Sequence, residues 1–512
     1  MNVPPPNMDK IPRATIRVRD NTIEDDDTEK DMKTANDDST ATDSTEEEPR
    51  GRPSQADFET SDISALTKAL SEQSLVDLWE KHQQTMSDPA KEYYDALARG
   101  DCSFLPQEES PGLIEQSLQQ MEREIVALPD HQKAAYTKGL GLHSAYIHDR
   151  DHRLKFLRSE VFKAKPAALR FCLWLDVLDA LFGSVALTRK IYLSDLSKED
   201  MAAMKSGIIQ VLPSRDRIGR RVISMLLPSD MKNTDVTRLG RVAIYMSIWI
   251  TDDLATQQQG VAKIFLPSSN FGLLAPTPKD LAFMSKCFRA TPLRFTAFHI
   301  CLPNAGVVKT LSGFFSMVQT VDTRNVTRVH TGSDLETTYV LQTEYGLVAK
   351  EIQRTDSGRM KVKNLNNWLK FRSRFEEKLQ MSMPFDGIDC PDFQNIAIRS
   401  GGSMFNHPPN KLFRSYLKET EEEWGRATKT VEKQRVISKI VNEIQARGFR
   451  YVKWSDSDGC YLALRGVDDI RSFVATSLRD QIKRSRAKRR VLVQGDDKVG
   501  DFFLKKPRID KD

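Results

Sequence analysis

Residues 207–227, GIIQVLPSRDRIGRRVISMLL, limit the fold more tightly than any other stretch of the chain. Two short apolar runs rich in β-branched side chains, 208–212 and 222–227, flank a polar reversal from Ser214 to Arg220. β-Branched residues suit a pleated, buried surface, and Asp216 and Gly219 supply the backbone angles a reversal needs, so the stretch reads as a β-hairpin. A hairpin is not stable alone in water and needs further partners. Downstream of it come a helical pattern over Val236–Ile250, a strand over 261–266, a helix over 278–289 and the most apolar strand of the chain, Phe295–Leu302. A helix over 307–318, a short strand over 326–330 and a helix over 334–341, begun by the N-cap candidates Ser333 and Asp334, complete the alternation. This order predicts an α/β fold: a mixed sheet with helices on its faces. The 236–250 pattern is apolar nearly all round, so that helix must be covered on more than one side.

Composition divides the rest. Residues 1–60 are polar and acidic, with thirteen acidic residues against two lysines between Asp20 and Pro49. Such a segment cannot bury enough apolar surface to offset the entropy of ordering, and a disordered acidic N-terminus is expected. Helical spacing then begins with Ile63, Leu66, Leu70, Leu75, Leu78 and Trp79, and further helices are expected over 112–128, 130–145, 149–162 and 166–182. Residues 61–185 therefore form a helical region ahead of a sheet domain at 186–347. A polar stretch with Arg354, Asp356, Ser357 and Gly358 opens an expected linker at 348–394, before a smaller α+β domain at 395–484 and a basic tail at 485–512.

The 76 Lys and Arg against 71 Asp and Glu leave a net charge of +5, and the balance is uneven, because the N-terminal segment is locally acidic. The remainder is strongly basic, which suits an anionic partner, either nucleic acid or a phospholipid surface. No apolar run approaches the roughly 18 residues a membrane span needs. The opening MNVPPPNMDK carries no apolar h-region or cleavage pattern, so a secretory route is not expected. Cys102, Cys172, Cys287, Cys301, Cys390 and Cys460 lie far apart, which argues for reduced thiols rather than a disulfide framework or zinc knuckle. The expected location is the cytoplasm, with the nucleus as the alternative.

Signals for catalysis are weak. His148 and His152 stand four apart, the spacing that sets two zinc ligands on one helix face, but Asp149 occupies the place where a metalloprotease motif carries Glu, and no third ligand is evident. There is no G-x-S-x-G elbow, phosphate-binding glycine loop or Cys-x-x-Cys pair. No catalytic residue, metal or cofactor is expected.

Asp216-Arg217-Ile218-Gly219-Arg220-Arg221-Val222 is similar to the D-x-x-G-R-x-V hairpin of the CRAL-TRIO, or Sec14-like, lipid-binding family. Phe156-Leu157-Arg158, followed by Phe162 and Ala167-Ala168, resembles the family's helical lead-in. Val329-His330 before Ser333-Asp334-Leu335, and then Glu344-Tyr345-Gly346, resemble its closing strand, helix and E-Y-G ending. The ordered set covers residues 130–347. It departs from the family where Leu266-Pro267-Ser268-Ser269 replaces an acidic residue and a glycine. The resemblance implies a pocket between the sheet floor and a mobile apolar helix, holding a lipid or other small hydrophobic ligand without covalent chemistry. Removing acyl surface from water contributes about 25 cal/mol per Å². The implied lining comes from the apolar helix and two buried strands: Ile244, Ile248, Trp249, Phe265, Phe295 and Phe298, each of which also suits an ordinary core. Arg215, Arg217, Arg220 and Arg221 are candidates to meet a phosphate headgroup or an anionic membrane surface, although for each alone an exposed hairpin tip is the better account.

In the C-terminal domain, Asn406-His407-Pro408-Pro409-Asn410 and Phe413 precede a helix with Tyr416, Leu417 and Trp424. A second helix comes over 431–447, then a hairpin around Asp458-Gly459 and a last helix from Val467. This order resembles an uncharacterised algal domain family that opens with N-H-P-G-N-x-x-F, with Pro409 in place of its glycine. The resemblance implies a fold but no activity. Lys453 and Trp454 on the hairpin, with Lys483, Arg484, Arg486, Lys488, Arg489 and Arg490 after it, are candidates for DNA or RNA contact, cations meeting phosphates and an aromatic ring able to stack. The expectation is thus a non-enzymatic lipid-binding or lipid-transfer protein; the alternative is a nuclear nucleic-acid-binding regulator acting through the basic C-terminal domain.

Overall fold

The computed structural model describes residues 75–103, 108–227, 235–267, 277–302, 321–353, 360–399, 404 and 407–494; the expected disordered N-terminus, the expected helix over 307–318 and the tail beyond 494 lie outside them. Among the described residues, seven α-helices precede the first sheet: α1 (Leu75–Thr85), α2 (Asp88–Arg99), α3 (Pro111–Ala127), α4 (Ala134–Gly141), α5 (Arg150–Ser159), α6 (Ala164–Phe182) and α7 (Lys198–Lys205). Their starts are set locally. The Ser110 hydroxyl accepts from the Leu113 N–H at 3.1 Å with Pro111 in the first turn, and the Asp149 carboxylate accepts from His152 N–H at 2.6 Å. α6 packs on α3, α4 and α5 and buries Phe171, Trp174 and Leu178 in one core with Phe156 and Leu157.

The hairpin consists of β1 (Ile209–Arg215) and β2 (Arg221–Leu227). Asp216 forms the reversal: its carboxylate accepts from the backbone N–H of Ile218 and of Arg220 at 3.2 and 2.8 Å, and Gly219 takes φ +94°. The chain continues through α8 (Val236–Ile250), α9 (Leu254–Gln259), β3 (Val261–Pro267), α10 (Pro278–Ala290), β4 (Phe295–Leu302), α11 (Val321–Asn325), β5 (Thr327–Thr331) and α12 (Asp334–Thr343). The five strands lie in chain order, the first pair antiparallel and the others parallel. Parallel neighbours need crossovers of helix length, which α8 with α9, and α10, provide between β2, β3 and β4.

Helices cover both faces of this mixed sheet, and β2 is accordingly buried along its whole length. On one face Ile223, Met225, Phe265, Phe298 and Ile300 share a core with α8, α10 and the N-terminal helices. On the other, Val222, Ala262, Ile264 and Ala297 meet Ala98 of α2, Leu341 of α12 and Tyr345. The α/β architecture read from the sequence is the one observed.

Residues 348–394, expected as a linker, are mostly structured. Helix α13 (Lys363–Gln380) buries Leu365, Trp368 and Leu369 in the first core. Its apolar positions recur at helical spacing, but Asn364, Asn366 and Asn367 interrupt them and hide the face. β6 (Gly387–Ile388) then joins a second sheet with β7 (Asn395–Ile398). The remaining elements are α14 (Pro408–Glu419), α15 (Glu421–Arg426), α16 (Thr430–Ala446), β8 (Arg450–Ser455), β9 (Cys460–Ala463) and α17 (Val467–Gln494). The order across this sheet is β6-β9-β8-β7, with β7 parallel to β8, and Phe413, Ile440, Ile444, Tyr451 and Val474 are in its core. Pro408 and Pro409 occupy the first turn of α14, where a missing N–H costs little. α17 runs through 485–494, so the first part of the expected tail is helical. No helix among the described residues is long and apolar enough to cross a membrane.

Candidate functional site

α8 and α10 do not close fully onto the sheet. Between them and β1–β4 lies an apolar cavity of about 120 Å³. α8 starts at Asp235, whose carboxylate accepts from the Thr237 and Arg238 N–H groups at 2.9 and 3.1 Å. From there Leu239, Gly240, Ala243, Ile244, Ser247 and Ile250 fall on the helical face that lines the cavity. α10 is set by a capping box of Thr277 with Asp280 and contributes Phe283, Met284, Cys287 and Phe288. Gly240 permits the two helices to approach: a Cβ there would lie 2.6 Å from a Phe283 ring carbon.

Few polar groups reach this space, and most are spent. The Ser247 hydroxyl donates to the Ala243 carbonyl at 2.7 Å and the Thr291 hydroxyl to the Cys287 carbonyl at 2.8 Å. Burial pushes the Cys287 thiol up to about 12, which keeps it protonated. Lys263 is the exception. It lies on β3 beside Ile223 and Phe298, half-buried, with Nζ 5.0, 5.5 and 5.3 Å from the ring centres of Phe288, Phe295 and Phe298. Burial lowers its pKa to about 8.

Of the residues expected to line a pocket, Ile244, Phe265, Phe295 and Phe298 do so. Ile248 and Trp249 are on the opposite side of α8, because successive helical residues turn by about 100°. Ile248 is buried in the surrounding core. The Trp249 Nε1–H donates to the Ile191 carbonyl at 3.1 Å, and the Arg372 guanidinium stands 3.8 Å from its ring centre. Lys263, Phe283 and Phe288 escaped the sequence reading. Lys263 did leave a signal: it shares the inward period-2 positions of β3 with Val261 and Phe265, where a charge is out of place.

The four hairpin arginines, expected to meet an external anion, are committed to internal partners. Arg220 is 1% exposed; its Nε–H donates to Asp216 at 2.5 Å and its other groups to the carbonyls of Leu97 and Thr296 at 2.8 and 3.0 Å. Arg215 pairs with Asp253 at 2.7 Å and Arg221 with Asp389 at 2.5 Å. Burial opposes the Asp389 carboxylate, yet the adjacent Arg221 holds it down to about 2. Arg217, half-exposed, bonds Asp101 and donates to the Glu344 carbonyl at 3.1 and 2.7 Å, which ties the hairpin tip to the E-Y-G ending. Arg215, Arg221 and Arg372 border a larger polar cavity of about 700 Å³ against the second sheet. Arg372 pairs there with Glu376 at 3.1 Å and Arg465 with Asp386.

In the C-terminal domain Lys453, Lys483, Arg484 and Arg486 are exposed. Trp454 is covered: Arg399 stands 3.8 Å from its ring centre, Tyr461 packs edge-on, and its Nε1–H donates to Asp456 at 2.7 Å. The side chains of Lys488, Arg489 and Arg490 lie outside the described residues. Lys483 and Arg486 instead join Arg479, Lys433 and Trp424 around a groove of about 650 Å³ between α15, α16 and α17. His152, weighed with His148 as a metal ligand, serves the fold by stacking on Tyr146 at 4.2 Å, and His407 Nε2 lies 3.0 Å from the Asn395 carbonyl. Among the described residues no group of three or more His, Cys, Asp or Glu could hold a metal ion.

Residues 396–480 match the model of a family described as a domain of unknown function, DUF6824. No curated protein matches the chain. The family match falls on the second sheet and its helices, and the cavity of the first sheet is outside it.

Proposed function

We propose that this chain binds a hydrophobic small molecule, non-covalently and without catalysis, in the cavity between the first sheet and helices α8 and α10. The observation that carries this reading is the apolar, partly open space itself. At about 24 cal/mol per Å³, a void of about 120 Å³ costs about 3 kcal/mol if left empty, and a bound apolar ligand recovers that contact energy. The resemblance of residues 130–347 to the CRAL-TRIO family supports the same reading, since that family holds lipids between a sheet floor and an apolar helix. Size narrows the occupant. An apolar cavity of about 150 Å³ takes up benzene, so the described arrangement suits a compact ligand or the end of a chain, and a full acyl lipid requires α8 and α10 to part.

The test is calorimetric titration of the purified full-length chain with 1-hexanol, with solvent extraction of the protein and mass spectrometry of the extract. Saturable uptake at one site, or a single co-purifying hydrophobic compound, is expected. A chain that yields no compound and takes up no hexanol would overturn the proposal.

A second reading rests on the C-terminal groove. Among the described residues, Lys433, Arg479, Lys483 and Arg486 have no carboxylate within ion-pair distance, and they surround Trp424, with Lys433 Nζ 5.8 Å from its ring centre. Unpaired cations beside an aromatic face suit single-stranded nucleic acid. Binding of a single-stranded oligonucleotide should weaken steeply with salt, and Lys483→Glu should flatten that slope by about one counterion. Binding indifferent to both salt and this substitution would remove the reading.

A further inference from the structure

Lys263 has no evident structural task. Lys263 is half-buried, and a cation partly withdrawn from water is usually paired or hydrogen-bonded within the protein, because desolvating a charge is costly. Among the described residues nothing accepts a hydrogen bond from Lys263 Nζ and no carboxylate lies within ion-pair distance; its nearest polarisable neighbours are the faces of Phe288, Phe295 and Phe298. These rings favour a cation electrostatically but leave its three N–H donors without a strong acceptor. The strand positions beside it are Ile223 and Phe298, and Val261 and Phe265 share its face on β3. An apolar residue would pack better at this place unless the amine serves something that enters the cavity.

We propose that Lys263 anchors the carboxylate of a small hydrophobic acid whose apolar body fills the space between α8, α10 and the sheet. This inference rests on the cavity being a ligand site. The charge and donor count select the head group. Among the described residues one cation lines the cavity, and the Ser247 and Thr291 hydroxyls are already donating to carbonyls of their own helices. A carboxylate, with one charge and two acceptor oxygens, matches the single ammonium; the second charge of a phosphate monoester would be buried without a partner. With its pKa lowered to about 8, the amine remains mostly protonated at neutral pH, where the acid is ionised.

The experiment compares hexanoate with 1-hexanol, which share a six-carbon chain and differ in charge, by calorimetric titration of the full-length chain and of Lys263→Met at neutral pH. Hexanoate should bind the native chain at least tenfold more tightly than hexanol, a difference of about 1.4 kcal/mol. Lys263→Met should abolish or invert that preference while still binding hexanol. Equal affinities in the native chain would overturn the role of Lys263 and leave the cavity reading standing, and this result does not depend on the variant folding. A preference that survives in folded Lys263→Met would also overturn it. No uptake of either compound by the native chain would overturn both.

Discussion

Filling the cavity separates a binding site from an incidental packing defect. Ala243 lines it from the middle of α8, and Ala243→Leu adds three carbons, gaining about 2.4 kcal/mol if all become buried at about 0.8 kcal/mol each. Fixing a leucine side chain costs about 0.5–1 kcal/mol, so a net gain of about 1.5 kcal/mol is expected. Overpacking, which costs about 1–3 kcal/mol in a dense core, is avoided only because the void of about 120 Å³ can receive those atoms. The assay is denaturant unfolding followed by tryptophan fluorescence, since Trp174, Trp249 and Trp368 all lie in the first core; the midpoint should rise with an unchanged slope. The same variant should lose hexanol uptake. Destabilisation by more than about 1 kcal/mol would show that the space is not there to be filled. A stable variant that binds hexanol with native affinity would place the site elsewhere.

Other substitutions test the surroundings. Glu351 is buried against Ser214, and burial raises its carboxyl from 4.5 to about 7. A raised acid contributes stability in full below pH 4.5 and loses it as pH climbs through about 7, so Glu351→Gln should stabilise the chain at mildly alkaline pH by about 2–3 kcal/mol and have little effect in acid, read by unfolding across pH. Lys263 has the opposite linkage, its pKa being depressed from 10.5 to about 8: its stability is present above 10.5 and lost as pH falls through about 8. Thermal unfolding of Lys263→Met should therefore exceed that of the native chain at neutral pH, with the gap closing toward pH 10.5. Asp216 and Arg220 form a pair only 1% exposed on either side. Asp216→Ala, which leaves Arg220 buried without its carboxylate, should cost about 3–5 kcal/mol, whereas Arg217→Ala, half-exposed, should cost about 1 kcal/mol or less in the same denaturant assay.

The hairpin shows how much of the fold was legible in advance. Its apolar runs, its Asp216 turn and the positive φ at Gly219 all follow from residues within a few positions of one another, and the strands observed are Ile209–Arg215 and Arg221–Leu227. The same holds for α3 and α8, whose caps Ser110 and Asp235 and apolar spacing are local, and for the apolar spacing of α6. α13 was lost in an expected linker because its asparagines dilute the pattern and its burial is supplied by a core assembled from residues far earlier in the chain. The arginines at 215 and 221 looked available because their partners, Asp253 and Asp389, are distant in sequence; Arg220 pairs with the nearby Asp216, but the Leu97 and Thr296 carbonyls that bury it come from other elements.

Sequence alone thus determined the alternation of strands and helices, the basic character of the C-terminal domain and several of the side chains in the first core, among them Ile244, Ile248, Phe265 and Phe298. Tertiary structure decided that α8 and α10 leave a gap above β1–β4, that Ile248 and Trp249 point away from it, and that Lys263 stands in it with no carboxylate partner among the described residues. The reason is physical: periodicity tells which residues share a face, since that is a property of a few turns of backbone. Whether two faces meet closely or leave a cavity depends on side-chain volumes and charges brought together from segments that the chain itself keeps apart.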